Sequence, residues 1–312
     1  MAKVIDLNLE KFNFEISAIG LGNFDGFHGG HTNVVKKTVE VAQKFNVKSS
    51  ILLFKQHTNE VFPHFPRYYI NSLEDKIEIL EEYGIDYIFT INFTYEFAQL
   101  SKEEFILDFI KNKLNAKYIV CGPNYTFGKL SKGTVDDLYT MEKTNDIKVF
   151  VENYVMNDNE KISSTIIRKL LYQGRVSEAH RLLKRPYTIR GNVVHGFKIG
   201  SKELGYPTAN IEMNFRYILP KEGVYLTNLI LKGHKYLSLT SIGTNPTVTD
   251  SREIKLETFI IDFDKKIYGE EVKIEFLEWM RDQIKFDSKD ELIEQMNQDF
   301  QYAIIYKNNL QN

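Results

Sequence analysis

From Ile16 to about Val151, short apolar runs alternate with longer segments of helical period. The runs are "SAIGLGNF", "SSILLF" and "DYIFTINF", and between them lie Thr32 to Phe45 and Ser72 to Tyr83. In the first longer segment Val34, Val35, Val41, Ala42 and Phe45 form one stripe with Lys36 and Lys37 opposite, which predicts an amphipathic helix packed on a sheet. Further on, "SKEEFILDFIKNKL" opens with Ser101 and Glu104 at capping-box spacing and leads into the strand-like "AKYIVCG". Strands alternating with helices predict a parallel sheet, so the first half reads as an α/β domain.

Around Ser163 the pattern changes to two short helices, Thr165 to Tyr172 and Val176 to Lys184, with Gly174 between them as a C-cap. After "KRPY" it changes again, to the short β-like runs "TIRGNVVHG", "GVYLTNLIL", "YLSLTSIG", "KLETFIIDF" and "EVKIEFLEW". Regularly spaced short strands broken by Gly, Pro, Asn and Asp predict a small barrel or sandwich. A last helix begins near Ser288, where Ser288 and Glu291 match a capping box and Leu292, Ile293, Met296 and Phe300 supply the apolar face. The change of texture puts a domain boundary near residue 184, dividing the chain into 1–184 and 185–312.

Composition narrows the partners. A formal net charge of -2, with 43% hydrophobic and 26% charged residues, argues against a broad nucleic-acid-binding surface and favours small-molecule substrates. The single cysteine, Cys121, follows the apolar "YIV"; it excludes a disulfide framework or Cys-rich zinc site and fits a reducing compartment. Charges at Lys3, Asp6, Glu10, Lys11 and Glu15 break any signal-peptide core, and no apolar run approaches the roughly 18 residues of a membrane span. A cytoplasmic enzyme or binding protein, with no membrane partner, is the expectation.

The densest chemistry is "GLGNFDGFHGGH", residues 20 to 31, where a strand gives way to a helix. Glycines 20, 22, 26, 29 and 30 permit tight turns and close approach of a ligand, and His28 and His31 share one face as the helix begins. A helix N-terminus beyond the carboxyl ends of parallel strands is a phosphate site, so ATP, NAD and a sugar nucleotide all fit. In "ISSTIIRKLL" the hydroxyls of Ser163, Ser164 and Thr165 precede Arg168 at a helix start, a second place for phosphate. No GxxxxGK[ST] loop occurs.

In the second half, "GNVVHGFKIGSKELGYPTANI", residues 191 to 211, contains a Pro-Thr-Ala-Asn turn. Pro207 fixes the backbone there, and Thr208 and Asn210 present neutral oxygen donors of the kind that suit Mg²⁺ beside substrate phosphates. In "IKLETFIIDF", Lys255, Glu257 and Phe259 alternate with Leu256, Thr258 and Ile260, two faces of one strand.

Taken in order, these stretches carry a resemblance. "GNFDGFHGGH" resembles the GxFDGxHxGH signature of the nucleotidyltransferase superfamily, and "ISSTIIR" resembles its second signature, ISSTxIR. "LGYPTAN" resembles the signature of riboflavin kinases. Together they resemble the bacterial bifunctional riboflavin kinase/FMN adenylyltransferase (FAD synthetase) family, from about residue 16 to about residue 300. The resemblance implies a Rossmann-like nucleotidyltransferase domain followed by a small β-barrel with a terminal helix. It implies phosphorylation of riboflavin by ATP to FMN at the second domain and adenylylation of FMN to FAD at the first, with Mg²⁺ in both steps. By the same resemblance His28, His31 and Arg168 act on the ATP phosphates, with Gly22, Asn23, Phe24, Asp25, Ser163, Ser164 and Thr165 around them. "CGPNYTFG" resembles a flavin-side segment and brings in Asn124 and Phe127. At the kinase site it implies a glycine loop including Gly196 and Gly200, metal and phosphate contacts from Thr208 and Asn210, Glu257 as base, and Arg281 beside the flavin. Asn245 and Pro246 would shape the same pocket.

Two departures stand out. After the second strand the family reads close to F-x-P-H-P, whereas this chain reads "FKQHTNEVF": Phe54 and His57 remain, and Gln56 and Thr58 replace prolines. The family commonly has Glu-x-His where this chain has Glu257 and Phe259. The altered loop leaves room for a rival, a riboflavin kinase with a nucleotide-binding regulatory first domain. A flavin-responsive binding protein is the other alternative.

Overall fold

The computed structural model describes residues 2–9, 13–56, 68–157, 160–195, 207–244 and 254–309. The chain folds into two compact units, Met1–Ser164 and Thr165–Asn312.

In the first unit, β1 (Lys3–Asp6), β2 (Ser17–Leu21), β3 (Lys48–Phe54), β4 (Tyr87–Ile91), β5 (Ala116–Cys121) and β6 (Lys148–Val151) form one sheet in the order β1-β4-β3-β2-β5-β6. Every pairing is parallel. Strands β2 to β5 are close to continuously buried, as helices on both faces require. The edge strand β1 was not expected: "KVID" is too short and too charged to stand out, and its place comes from the register Val4 to Ile88 and Ile5 to Phe89.

Helix α1 (Gly29–Phe45) buries Val34, Val35, Thr38, Val41 and Ala42; Thr38 joins the expected stripe, and its last member, Phe45, is only partly buried. Thr38 is tolerated inside because its hydroxyl donates to the Val34 carbonyl at 2.8 Å. Helix α2 (Leu73–Glu82) starts at a reciprocal Ser72/Asp75 capping box. After β4 comes the one-turn helix α3 (Tyr95–Ala98). The expected Ser101/Glu104 box is present: Ser101 N–H donates to Glu104 Oε2 at 2.7 Å, and Glu104 N–H to Ser101 Oγ at 3.1 Å. The helix it opens is wound wider than expected, as a π-helix over Glu104–Lys113, closing with Leu114 N–H on the Phe109 carbonyl. Helix α4 (Val135–Thr144) and the short hairpin β7 (Met156–Asn157) and β8 (Glu160–Lys161) complete the unit.

Helix α5 (Ser164–Tyr172), whose first residue still belongs to the first unit, and α6 (Val176–Leu183) open the second, separated as expected by Gly174, whose φ of +75° favours glycine. Six antiparallel strands then close a barrel: β9 (Tyr187–Val194), β10 (Thr208–Met213), β11 (Gly223–Leu231), β12 (His234–Thr244), β13 (Ile254–Ile260) and β14 (Glu271–Arg281), in the order β10-β13-β12-β11-β14-β9. The barrel reading is therefore correct, with one change. Thr208, Ala209 and Asn210 are not a turn: they begin β10, paired on one side with β13 and on the other with β9. Proline at 207 precedes the first paired residue, the position where a strand accepts it.

Inside the barrel the hydroxyls of Thr227, Ser238, Thr240 and Thr258 are buried and bonded to one another at 2.8–3.0 Å, so these four satisfy each other away from water. On the outside, α7 (Lys289–Asn309) packs Phe300, Ala303 and Ile304 against Leu239, Phe259 and Ile261. Of its expected capping box only one half forms, Glu291 N–H to Ser288 Oγ at 3.2 Å; the Glu291 carboxylate accepts from Asp287 N–H instead.

Candidate active sites

In the first unit's sheet, β2 lies between β3 and β5, and the connections run outward to opposite edges from there. This is a topological switch point, and its carboxyl end is where an open α/β sheet leaves a crevice. The loop after β2 carries Gly22 to His28, and the loop after β5 carries Gly122 to Gly128. Between them lies a cavity of about 130 Å³ lined by Gly22, Asn23, Phe54, Phe93, Phe97 and Phe127, among others. A larger and more open cavity, about 940 Å³, sits at the amino ends of the same strands beside Asn46, Ser49, Asp86 and Asn115. Helix N-termini do not converge at the amino ends of a parallel sheet, so the smaller, aromatic crevice is the better candidate for nucleotide chemistry.

The loop after β2 is strained. Phe24, Gly26 and Phe27 take φ values of +48°, +90° and +44°, and for two bulky residues the left-handed region is costly. What holds them is burial: both rings are wholly inside and stack at 5.4 Å between centroids. Of the five glycines of this stretch only Gly26 takes left-handed backbone. Gly20 serves close packing instead, since a Cβ there would lie 2.7 Å from Thr38 Oγ1. Phe24 is wholly buried, so it supports the loop from behind and presents no surface to a nucleotide.

The loop ends at His28, the N-cap of α1, and no acidic residue follows in the first turn. His28 and His31 stack face to face with centroids 4.0 Å apart and planes 23° from parallel. Two imidazoles are thus presented together at a positive helix end. Asp25 is buried; its Oδ1 accepts from Ile70 N–H at 3.1 Å and its carbonyl accepts from Ser164 Oγ at 2.7 Å. The two signature stretches therefore meet through Asp25 and Ser164. Behind them Lys76 is buried, which pulls its pKa below the usual lysine range, while the carboxylates of Asp25 and Asp75 oppose that shift.

Across the crevice Tyr125 and Phe127 stack at 5.8 Å, and burial pushes the Tyr125 phenol up. Phe127 is buried, whereas Asn124 is exposed. Gly128, at φ +70°, passes so close to the next segment that a Cβ would lie 2.9 Å from the Lys102 backbone.

In the second unit, the register aligns Ser241, Glu257 and Asn210 across β12, β13 and β10. Directly opposed residues of antiparallel strands share a face, with Cβ atoms about 4.5–5.5 Å apart. Thr208 is two residues from Asn210 and so lies on that face too. The opposite face, with Leu256, Thr258 and Ile260, is buried in the barrel, so Glu257 is on the outside and half-buried, as the alternation predicts. Gln283 closes one end of the row, its Nε2 donating to Ser241 Oγ at 2.8 Å and to the Ile242 carbonyl at 3.0 Å. Arg281 is engaged by the buried carboxylate of Asp299, with Nε and Nη2 contacts of 2.6–3.1 Å.

Family models match both halves: FAD synthetase over residues 11–166 and riboflavin kinase over 183–306. A protein of Listeria monocytogenes named bifunctional riboflavin kinase/FMN adenylyltransferase is 35% identical over 91% of this chain and 90% of its own length. The protein of the same name from Bacillus subtilis is 36% identical over 94% and 93%. The chain belongs to the bifunctional riboflavin kinase/FMN adenylyltransferase family. A crystal structure described as a macrolide-efflux protein from Streptococcus pneumoniae shares the architecture at a TM-score of 0.87, with 32% identity over 96% of this chain and 98% of that one. Among the described residues no helix is long and apolar enough to cross a membrane.

Within this member of the bifunctional riboflavin kinase/FMN adenylyltransferase family most of the remaining expected residues fall into three sets. Gly22, Asn23, Asp25, His28, His31, Ser163 and Ser164 belong to the first unit, around or just behind the β2 loop. Thr165 and Arg168 belong to the second unit, in α5. Thr208, Asn210 and Glu257 share the outer barrel face. Gly196, Gly200, Asn245 and Pro246, and on the first unit His57 and Thr58, lie outside the described residues. Phe93 and Phe97 were missed, although a strand ending in "NFTYEF" carries an aromatic density that marks a pocket wall. Ser241 and Gln283 were missed too, because only strand register brings them beside Glu257.

Proposed function

We propose that the chain makes FAD from riboflavin in two steps, each consuming one ATP, and does so in the cytoplasm. The outer barrel face phosphorylates riboflavin to FMN, and the crevice at the carboxyl end of the first unit's sheet transfers AMP from a second ATP to FMN. The observation that carries this reading is the alignment of Thr208 and Asn210 with Glu257 on one face, in the same chain as the stacked His28/His31 pair. The functional boundary is assigned near residue 184, next to residue 183 where the match to the kinase family begins.

At the barrel, the Glu257 carboxylate takes the proton of the ribityl 5'-hydroxyl as its oxygen bonds the γ-phosphorus and ADP leaves. Among the described residues no group of three or more His, Cys, Asp or Glu side chains could hold a metal alone. The side-chain oxygens of Thr208 and Asn210 fit a Mg²⁺ that shares its ligands with substrate phosphates and water. When bound, that ion neutralises charge on the phosphates. The glycine stretch with Gly196 and Gly200 is assigned to ATP, and Arg281, held by Asp299, to the flavin edge.

At the crevice no covalent enzyme intermediate is needed. A phosphate oxygen of FMN attacks the α-phosphorus, and the bond to pyrophosphate breaks. His28 and His31 hold the ATP phosphates against the N-terminal end of α1, and Gly22 and Asn23 shape the floor with Phe24 buried behind them. Asp25 fixes Ser164, while Ser163, Thr165 and Arg168 serve the triphosphate and departing pyrophosphate. Asn124 and Phe127 are assigned to the flavin side, and of the two Phe127 lines the crevice.

The test is to incubate the purified chain with Mg-ATP and either riboflavin or FMN and to resolve the flavins by chromatography. FAD is expected from both. FMN without FAD would reduce the protein to a riboflavin kinase, and no turnover would leave it a binding protein.

A further inference from the structure

We propose that Gln56 is a positioning residue for the flavin wall of the adenylyl-transfer crevice. This rests on the function proposed above. Strands β3 and β4 pair in parallel as far as Phe54 and Ile91, and the last ladder bond runs from Lys55 N–H to the Ile91 carbonyl at 3.0 Å. One step further on, the side-chain amide of Gln56 donates to the carbonyl of Phe93 at 3.0 Å. A side chain thereby continues the ladder where the backbones stop pairing.

What it holds is one corner of an aromatic triangle. The Phe93 ring meets Phe54 edge-on at 4.9 Å and Phe97 at 5.7 Å, while Phe54 and Phe97 stand 5.8 Å apart. All three line the crevice beside Gly22 and Asn23. Two corners are secured otherwise: Phe54 ends a central strand, and Phe97 packs on Phe109 at 5.0 Å and Phe105 at 6.0 Å. Phe93 lies past the end of β4 and before α3, where Gln56 supplies the tie. A planar isoalloxazine laid on this wall needs the third ring in place before it arrives, and fixing a contact surface in advance lowers the cost of binding. Proline, which the resembled family carries at this position, has no side-chain donor and could not make this bond. Gln56 thus replaces a stiff backbone with a tether to the wall itself.

The test is steady-state kinetics of the full chain with FMN and Mg-ATP for wild type, Gln56→Met, Phe93→Ala and the double variant. Methionine keeps the length and removes the donor. Gln56→Met is expected to raise the KM for FMN three- to tenfold, with kcat, the KM for ATP and riboflavin phosphorylation within twofold of wild type. If Gln56 acts through Phe93, the double variant is no worse than Phe93→Ala alone. An unchanged KM for FMN, an equal rise in the KM for ATP, a fall in kcat without a KM change, or additive effects in the double variant would each overturn the assignment while leaving the two-step function standing. Failure of the wild type to make FAD from FMN would instead overturn the function and this assignment with it.

Discussion

The Arg281–Asp299 pair tethers α7 to β14, and Asp299→Ala is expected to loosen the barrel selectively. The two side chains are 18% and 8% exposed and meet at 2.6 Å, so solvent screens them little. Asp299 also accepts from Gln295 Nε2 at 3.1 Å, so its carboxylate is the hub of the contact. Removing one member of such a pair leaves the other charge buried and uncompensated, at a cost of about 3–5 kcal/mol. With a urea dependence of about 2 kcal/mol per molar, that lowers the unfolding midpoint by about 2 M. The chain has one tryptophan, Trp279 on β14, so its fluorescence reports the second unit alone. The double variant Arg281→Met/Asp299→Ala removes both charges and is expected to recover most of the loss. A midpoint drop under about 0.5 M for Asp299→Ala, or a double variant as weak as the single, would refute the argument that burial makes this pair matter.

Four further outcomes are expected. Glu257→Gln keeps the strand and removes the base, so FMN formation falls by about 10²–10⁴ while FAD formation from supplied FMN stays within twofold; equal loss of both contradicts separate sites. His31→Ala does the converse, reducing FAD formation and sparing riboflavin phosphorylation, read by the same chromatography. Gly128→Ala adds a clash with the Lys102 backbone to left-handed strain, so thermal unfolding of the first unit shifts by more than for Gly84→Ala, whose φ is also +70° but whose added Cβ meets nothing within 4 Å. Burial pushes the Cys121 thiol up to about 12, so a thiol reagent at pH 8 labels it only after unfolding. The sign follows: the unfolded thiol ionises from about pH 8.5, so stability that this group lends below that pH is lost as pH rises toward 12.

Most elements were legible because periodicity and caps are local signals: the α1 stripe, the Ser101/Glu104 box and the Gly174 stop all lie within a few residues of what they specify. Three features were not. Strand β1 is made by its neighbour's register rather than by its own four residues. The strand nature of Thr208 to Asn210 was hidden by the preceding proline, which reads as a turn until β13, and from Asn210 also β9, supplies a ladder. The left-handed Phe24 and Phe27 could not be read at all, because intrinsic preference opposes them and only the stacked, buried rings over-determine that backbone. The motifs pointed to the right loops, but the aromatic wall of Phe54, Phe93 and Phe97 depends on which strand ends are neighbours.

The row Ser241–Glu257–Asn210 exists only through strand pairing, and this makes the kinase face unusually sensitive to one kind of genetic change. Inserting one residue early in β13 would leave a barrel able to close, yet it would turn the Glu257 carboxylate inward among Thr227, Thr240 and their hydroxyl partners and bring Leu256 or Thr258 to the surface. Inserting two would restore the facing but slide the glutamate past Asn210. Tolerance to length variation in this half of the protein should therefore be confined to its connections, and in-frame insertion scanning would draw the outline of the catalytic face without any knowledge of its substrates.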